Sequence, residues 1–272
     1  MPELPEVETV VCDLRPMLVG RKIVSVRAGR KKLRRPWQRR WEKEVARKAI
    51  VSIERRGKWI VITLTGQRYL LCHLGMTGQL GIKPATMRSD PHTHLVFALD
   101  NGSELRFCDV RRFGSTEFLQ STETLQARFR ETMLGPEPFA VDSKWLCERL
   151  ARTRRCLKAI LLDQRVLAGV GNIYADESLF EAKLHPGRVG HQVTRAEAGR
   201  LHVAVQRVLK RAIDRRGSSI RNYVDGNGKR GGYQDEFRVY GRTGEPCQRC
   251  RTPLEMTRLA GRSSHYCPRC QK

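Results

Sequence analysis

The apolar positions of the chain change rhythm twice. Behind Pro5, the residues Val7, Val10, Val11, Leu14 and Leu18 recur at helical spacing, and proline suits a first helical turn. The chain therefore opens with an amphipathic helix, which Pro16 would kink. From Gly20 the spacing shortens: Ile23, Val24 and Val26 predict a strand, and residues 45–64 alternate around a break at Arg56-Gly57, as a hairpin does. Tyr69-Leu70-Leu71, a turn at Gly75-Met76-Thr77-Gly78, and strands over 94–99 and 104–108 continue the pattern. The last two strands flank Asp100-Asn101-Gly102, and Asn-Gly is a strong hairpin signal. Short strands separated by turns predict a β-sandwich with the first helix laid against it.

The second change comes at Leu134-Gly135-Pro136-Glu137-Pro138, which reads as a linker. Beyond it the period is helical. Helices are predicted over 143–151 behind Asp142-Ser143, over 153–163, and over 172–183 after Gly169-Val170-Gly171. A fourth, over 194–215, opens with the capping box Thr194-x-x-Glu197 and buries Leu201, Val205, Val208, Leu209, Ala212 and Ile213. Residues 217–232 hold five glycines and read as a loop. The expected class is α+β, with an N-terminal β-sandwich domain (1–134), a linker (135–142), a helical domain (143–236) and a C-terminal finger (237–272).

The finger is predicted from Cys247-x2-Cys250-x16-Cys267-x2-Cys270. Two C-x-x-C knuckles supply four thiolates, the donor set of a tetrahedral structural zinc with no open position for catalysis; a redox dithiol is the rival reading. Leu254, Met256 and Leu259 lie between the pairs and fit a two-stranded ribbon with its tip at Gly261-Arg262-Ser263-Ser264. Cys12, Cys72, Cys108, Cys147 and Cys156 read as free thiols of a reducing compartment.

Charge narrows the partner. Lys and Arg number 52 against 28 acids, a net charge of +24 over 272 residues. Such a field attracts polyanions, nucleic acid first and an anionic membrane surface second. No apolar run of the roughly 18 residues needed to cross a bilayer occurs, and no signal-peptide core opens the chain, so a cytoplasmic location is expected.

A nucleophile is available at the start. Removal of Met1 would expose Pro2 as a secondary amine followed at once by the carboxyl of Glu3. A free α-amino group has a pKa near ~8, against ~10.4 for lysine, so far more of it is neutral near pH 7. The helix dipole behind Pro2 disfavours the ammonium further. Such an amine can add to a sugar carbon and form an iminium, with Glu3 as general acid or base. A capped surface helix with acids in its first turn explains the same residues without chemistry.

Seven motifs, in order, resemble the bacterial formamidopyrimidine-DNA glycosylase family, whose members excise 8-oxoguanine and cleave abasic sites. They are Pro2-Glu3-Leu4-Pro5-Glu6-Val7-Glu8-Thr9, Gly57-Lys58-Trp59, His73-Leu74-Gly75-Met76-Thr77-Gly78, Asp109-Val110-Arg111-Arg112-Phe113-Gly114, Leu134-Gly135-Pro136-Glu137-Pro138, Gly169-Val170-Gly171-Asn172-Ile173-Tyr174-Ala175, and the zinc ribbon. The resemblance implies a helix–two-turn–helix arrangement for the helical domain, a monomer, and duplex DNA containing oxidised bases as partner. It implies that Pro2 attacks the deoxyribose, Glu3 protonates the ring oxygen, Lys58 assists proton transfer, and Arg262 holds phosphates and assists the second elimination. One structural zinc and no catalytic cofactor are expected. DNA contacts are expected from Glu6, His92, Arg152, Lys158 and Asn172, and from Arg221, Asn222 and Tyr223 in a lesion-covering loop over 217–233. Met76, Arg111 and Phe113 would fill the gap that a flipped nucleotide leaves, with Arg111 addressing the orphaned partner, expected to be cytosine. Read without the resemblance, Met76 and Phe113 are ordinary core residues.

Val110 stands where the family commonly has proline, and Pro16 is unusual; neither carries a proposed chemical role. An endonuclease VIII-type enzyme acting on oxidised pyrimidines is the nearest rival. Leu4, the Arg111-Arg112-Phe113 element and the long glycine loop favour the purine-type reading. A non-catalytic DNA-binding scaffold or a zinc-ribbon RNA-binding protein would have no need of Pro2-Glu3.

Overall fold

Helix α1 (Leu4–Leu18) buries Val7, Val10, Val11, Leu14 and Leu18 on one face, the stripe that their spacing predicts. It continues past Pro16, which sits in the last turn and forgoes one intrahelical hydrogen bond there. The structure is a computed structural model describing residues 2–29, 31, 33–219 and 231–272. Two compact units result: Met1–Thr132 with Arg216–Gly232, and Met133–Arg215 with Tyr233–Lys272.

The first unit is a sandwich of two four-stranded antiparallel sheets. Its strands are β1 (Ile23–Ala28), β2 (Ile50–Arg56), β3 (Trp59–Leu64), β4 (Arg68–His73), β5 (Gly78–Pro84), β6 (Thr93–Leu99), β7 (Ser103–Asp109) and β8 (Ser115–Leu119). One sheet runs β2-β3-β4-β8 and the other β1-β6-β7-β5. Ile53, Ile60, Ile62 and Leu70 from the first sheet and Leu80, Leu95, Phe97 and Phe107 from the second share one core with α1. Two short helices escape the hydrophobic pattern: α2 (Arg40–Val45), which buries Val45, and α3 (Thr122–Glu131), which buries Arg128. Neither has an apolar stripe to read. What marks α3 is its cap, where the Thr124 amide donates to Ser121 Oγ at 3.2 Å.

The second unit holds α4 (Ser143–Ala151), α5 (Leu157–Leu162), α6 (Asn172–Ala182) and α7 (Arg195–Asp214). The predicted caps are present. The Trp145 amide donates to Asp142 Oδ1 at 2.7 Å, and the Thr194 amide donates to Glu197 Oε2 at 2.9 Å. The helix expected over 153–163 is confined to α5, because its first residues spend their backbone groups sideways. Cys156 bridges Val189, while the Gly190 and His191 amides donate to the carbonyls of Arg155 and Thr153, each at 3.0 Å. Two last strands, β9 (Glu255–Leu259) and β10 (Arg262–Tyr266), form an antiparallel ribbon. Its turn is Ala260-Gly261, both at positive φ (48° and 72°), as a two-residue hairpin loop requires; Arg262 therefore begins the return strand. Among the described residues no helix is long and apolar enough to cross a membrane.

Candidate active site

Pro2 and Glu3 are buried at the N-terminus of α1, with Glu3 as the cap residue in extended conformation. The Glu3 amide donates to Glu6 Oε2 at 2.8 Å, which holds Glu3 against the first turn. The other oxygen of Glu6 accepts from the Ser218 amide at 2.8 Å and from the Ser218 hydroxyl at 3.3 Å. Gly217, at φ +73°, lies so close that a Cβ there would stand 2.8 Å from Glu6 Oε1. Glu6 thus joins the start of α1 to the stem of the glycine-rich segment. Arg221, Asn222 and Tyr223 lie outside the described residues.

Lys58 is buried in the turn between β2 and β3, after Gly57 at φ +59°. That turn is tied to α1 through Arg55, whose Nε donates to Glu8 Oε2 at 2.6 Å and whose Nη1 donates to the Gly57 carbonyl at 3.2 Å. His73 pairs with Trp59 across β3 and β4, their rings edge-on at 4.7 Å. Burial, with help from the Lys58 and Arg34 charges, lowers the pKa of His73 to about 4. The imidazole is therefore neutral at pH 7, and its Nδ1 accepts from the Gly75 amide at 3.0 Å.

Met76, Arg111 and Phe113 project from two turns that pack backbone to backbone. A Cβ on Gly75 would lie 2.5 Å from the Gly114 nitrogen, so glycine is required at that approach. Phe113 is 45% exposed and Met76 36%, which is inconsistent with core residues. The Arg111 guanidinium lies 4.6 Å from the Phe113 ring centroid. Asp109, first residue of the Asp109–Gly114 motif and buried at the base of the second turn, has no role that the sequence alone suggests. Its Oδ1 accepts from Thr77 Oγ1 at 2.5 Å and its Oδ2 from the Gly114 amide at 2.8 Å. His92 is half-buried, and its carbonyl accepts from the Asp109 amide at 3.0 Å.

In the second unit, Asn172 is the first residue of α6 and its Nδ2 stands 3.4 Å from Ser263 Oγ, next to Arg262 on the ribbon. Arg262 and Arg152 are exposed. Lys158 is not: it is fully buried, paired with Asp176, and donates to the Asn172 carbonyl at 3.0 Å. The enclosed ammonium holds the Asn172 segment at the start of α6. The second Asp176 oxygen accepts from the His265 amide at 3.0 Å, fastening α6 to β10. No signal in the sequence distinguishes these buried acids from surface ones.

The four cysteine sulfurs lie within 4.8 Å of one another, with Cys247 and Cys270 3.9 Å apart and Cys250 and Cys267 3.4 Å apart. Zn–S bonds of about 2.3 Å in a tetrahedron place sulfurs about 3.8 Å apart, so the donor set fits. The Arg249 and Cys270 amides donate to the sulfurs of Cys247 and Cys267, each at 3.4 Å, as thiolate acceptors invite.

Three family models match in order. They are the formamidopyrimidine-DNA glycosylase N-terminal domain over residues 1–116, the formamidopyrimidine-DNA glycosylase H2TH domain over 134–224, and a zinc finger found in FPG and IleRS over 244–272. The chain belongs to the formamidopyrimidine-DNA glycosylase family. Curated formamidopyrimidine-DNA glycosylases from Geobacillus kaustophilus and Streptococcus mutans are 44% and 41% identical, each covering 100% of both chains. Among solved structures, a Lactococcus lactis FPG variant in complex with a Fapy-dG containing DNA superposes at a TM-score of 0.93, with 36% identity and full coverage of both chains. The Lactococcus lactis Fpg with an abasic site containing DNA gives 0.91 at 36% identity over 99% of each chain. As in the family's zinc finger, Cys247, Cys250, Cys267 and Cys270 are the ligands of one structural zinc.

Proposed function

We propose that this DNA glycosylase of base-excision repair removes 8-oxoguanine and formamidopyrimidines from duplex DNA. On this reading it also cleaves the resulting abasic site, through an iminium on Pro2. The observation that carries the reading is the N-terminus itself: a proline and a carboxyl residue, both buried, at the positive end of α1, with Glu3 fixed by Glu6.

The chemistry follows from those groups. The neutral Pro2 amine attacks C1′ of the flipped nucleotide, and the damaged base leaves with the electron pair of the glycosidic bond and takes up a proton. Glu3, as the carboxylic acid, protonates O4′ as the sugar opens, giving a C1′ iminium. Loss of a C2′ proton then expels the 3′ phosphate, and a further elimination expels the 5′ phosphate. Water finally hydrolyses the iminium and restores the amine. Lys58, on its buried turn, serves proton transfer, and Arg262 offers charge to the departing phosphate. Asn172 adds a helix N-terminus that attracts the same backbone. Glu6, His92, Arg152, Arg221 and Tyr223 complete the proposed DNA contacts, with Lys158 acting through Asn172.

Borohydride reduction with a duplex carrying 8-oxoguanine opposite cytosine tests the reading. A covalent protein–DNA adduct is expected, and acetylation of the terminal amine should abolish it. Excision without an adduct excludes the iminium. An adduct that survives acetylation moves the nucleophile to a lysine, Lys58 first.

A further inference from the structure

The three residues offered as void-fillers come from two separate turns, Met76 from one and Arg111 and Phe113 from the other. A single buried carboxylate joins them. Asp109 Oδ1 accepts from Thr77 Oγ1 at 2.5 Å, directly after Met76 in the chain. The same oxygen accepts from the Arg111 amide at 3.2 Å, and Thr77 Oγ1 also accepts from that amide at 3.1 Å. Asp109 Oδ2 accepts from the Gly114 amide at 2.8 Å, directly after Phe113. The Asp109 carbonyl is itself engaged, 2.8 Å from His94 Nε2, which fixes the carboxylate from behind. Arg112 and Phe113 therefore lie between two backbone amides, those of Arg111 and Gly114, that one side chain holds.

We infer that the Asp109–Thr77 clasp is the positioning device that sets the register of Met76 against Arg111 and Phe113. The inference rests on the void-filling reading of those three residues. The physical need is specific. Arg112 sits at φ +56°, a conformation unfavourable for a side chain with a Cβ, so the second turn relaxes unless its ends are held. The contact between Gly75 and Gly114 fixes how near the turns approach. The backbones are aligned where the turns leave the sheets, by the pairing of His73 with Ser115 and of Gly78 with Asp109, and beyond those pairs the directional hydrogen bonds of Asp109 hold the turns in place. Asp109 touches no part of the proposed reacting sugar, so it positions and does not catalyse.

Such a role has a signature that a loss of folding lacks. Filling a vacated stack is needed when a nucleotide leaves a duplex and is not needed on a single strand. Asp109→Asn places a donor either against the Gly114 amide or against the Thr77 hydroxyl and Arg111 amide, and Thr77→Val removes the clasp hydroxyl; Thr77→Ser keeps it. With a duplex carrying 8-oxoguanine opposite cytosine, the first two variants should lose roughly tenfold to a hundredfold in excision rate, from bonds of this class. Cleavage of a single-stranded abasic oligonucleotide should stay within about twofold, and Thr77→Ser should resemble the parent on both. A parallel fall on both substrates, or a Thr77→Ser as impaired as Thr77→Val, overturns the inference. Phe113→Ala is run alongside: if it shows no selective duplex loss, the void-filling reading fails. If Phe113→Ala is selective and Asp109→Asn is not, the clasp alone fails.

Discussion

Glu6 and Ser218 are 212 positions apart, yet the Ser218 amide donates to Glu6 Oε1 at 2.8 Å. The other oxygen of the same carboxylate receives the Glu3 amide, so both faces of Glu6 meet backbone donors. A carboxylate satisfies that arrangement and an amide cannot, because one end of glutamine is a donor. Glu6→Gln should therefore lose one bond whichever way its amide turns, costing about 1–3 kcal/mol. Denaturant unfolding and excision rate measure this; unchanged values in both would mean the two bonds are incidental.

Glu3→Gln separates the two halves of the proposed chemistry. It keeps size and removes the proton, so base excision from an intact damaged nucleoside should fall by a factor on the order of 10² or more. A preformed abasic site already has opened sugar in equilibrium, so its cleavage should remain measurable. Assays on matched duplexes with 8-oxoguanine or an abasic site decide it; equal losses would remove Glu3 from the ring-opening step.

Zinc removal should be local. Cys247 and Cys267 share a small core with Phe180, Val239 and Leu254, whereas the sandwich core is built from residues between Val7 and Phe118. Chelation is expected to abolish DNA binding and leave most far-UV circular dichroism, since the ribbon carrying Arg262 is the part that the metal folds. A metal-free preparation that binds DNA normally contradicts the assignment.

His73 makes stability depend on pH. Its folded pKa of about 4 lies below the ordinary value of 6.5, so between those limits the unfolded chain binds more protons. Its contribution is complete above pH 6.5 and is lost as pH falls towards 4, by up to roughly 3 kcal/mol. His73→Asn retains an acceptor for the Gly75 amide without titrating. Unfolding free energies at pH 7 and 5 should fall more for the parent than for this variant, and parallel changes would count against the burial of a neutral imidazole.

The elements that repeat were legible in the sequence. The stripe of α1, the Asn-Gly hairpin between β6 and β7 and the box before α7 each combine a local signal with a burial pattern that agrees with it. Helices α2 and α3 were not, because Val45 and Arg128 alone give no period. For the site, the four cysteines announce a metal through residue type and spacing, and the chemistry proposed for Pro2 and Glu3 starts from their residue types. Asp109, Asp176 and Ser218 do not. Their importance lies in which distant groups they meet, and an isolated carboxylate or serine carries no mark of that. Lys158 shows the converse: a basic residue in a basic segment invites a surface reading, yet it is enclosed with Asp176.

The division of the chain into units has a consequence for biosynthesis. The first unit contains Arg216–Gly232 as well as Met1–Thr132, so its sequence is interrupted by most of the second. A nascent chain emerging from the ribosome holds the whole sandwich core once Phe118 is out, and can condense that layer early. Glu6 must wait for Ser218, 100 codons after Phe118, before its second oxygen is satisfied. Completion of the hydrogen bonds around Glu6 is thereby scheduled late in translation, after helices α4 to α7 have been made. A truncated product ending before that point would carry Pro2, Glu3 and the sandwich, with one anchor of the Glu6 carboxylate missing.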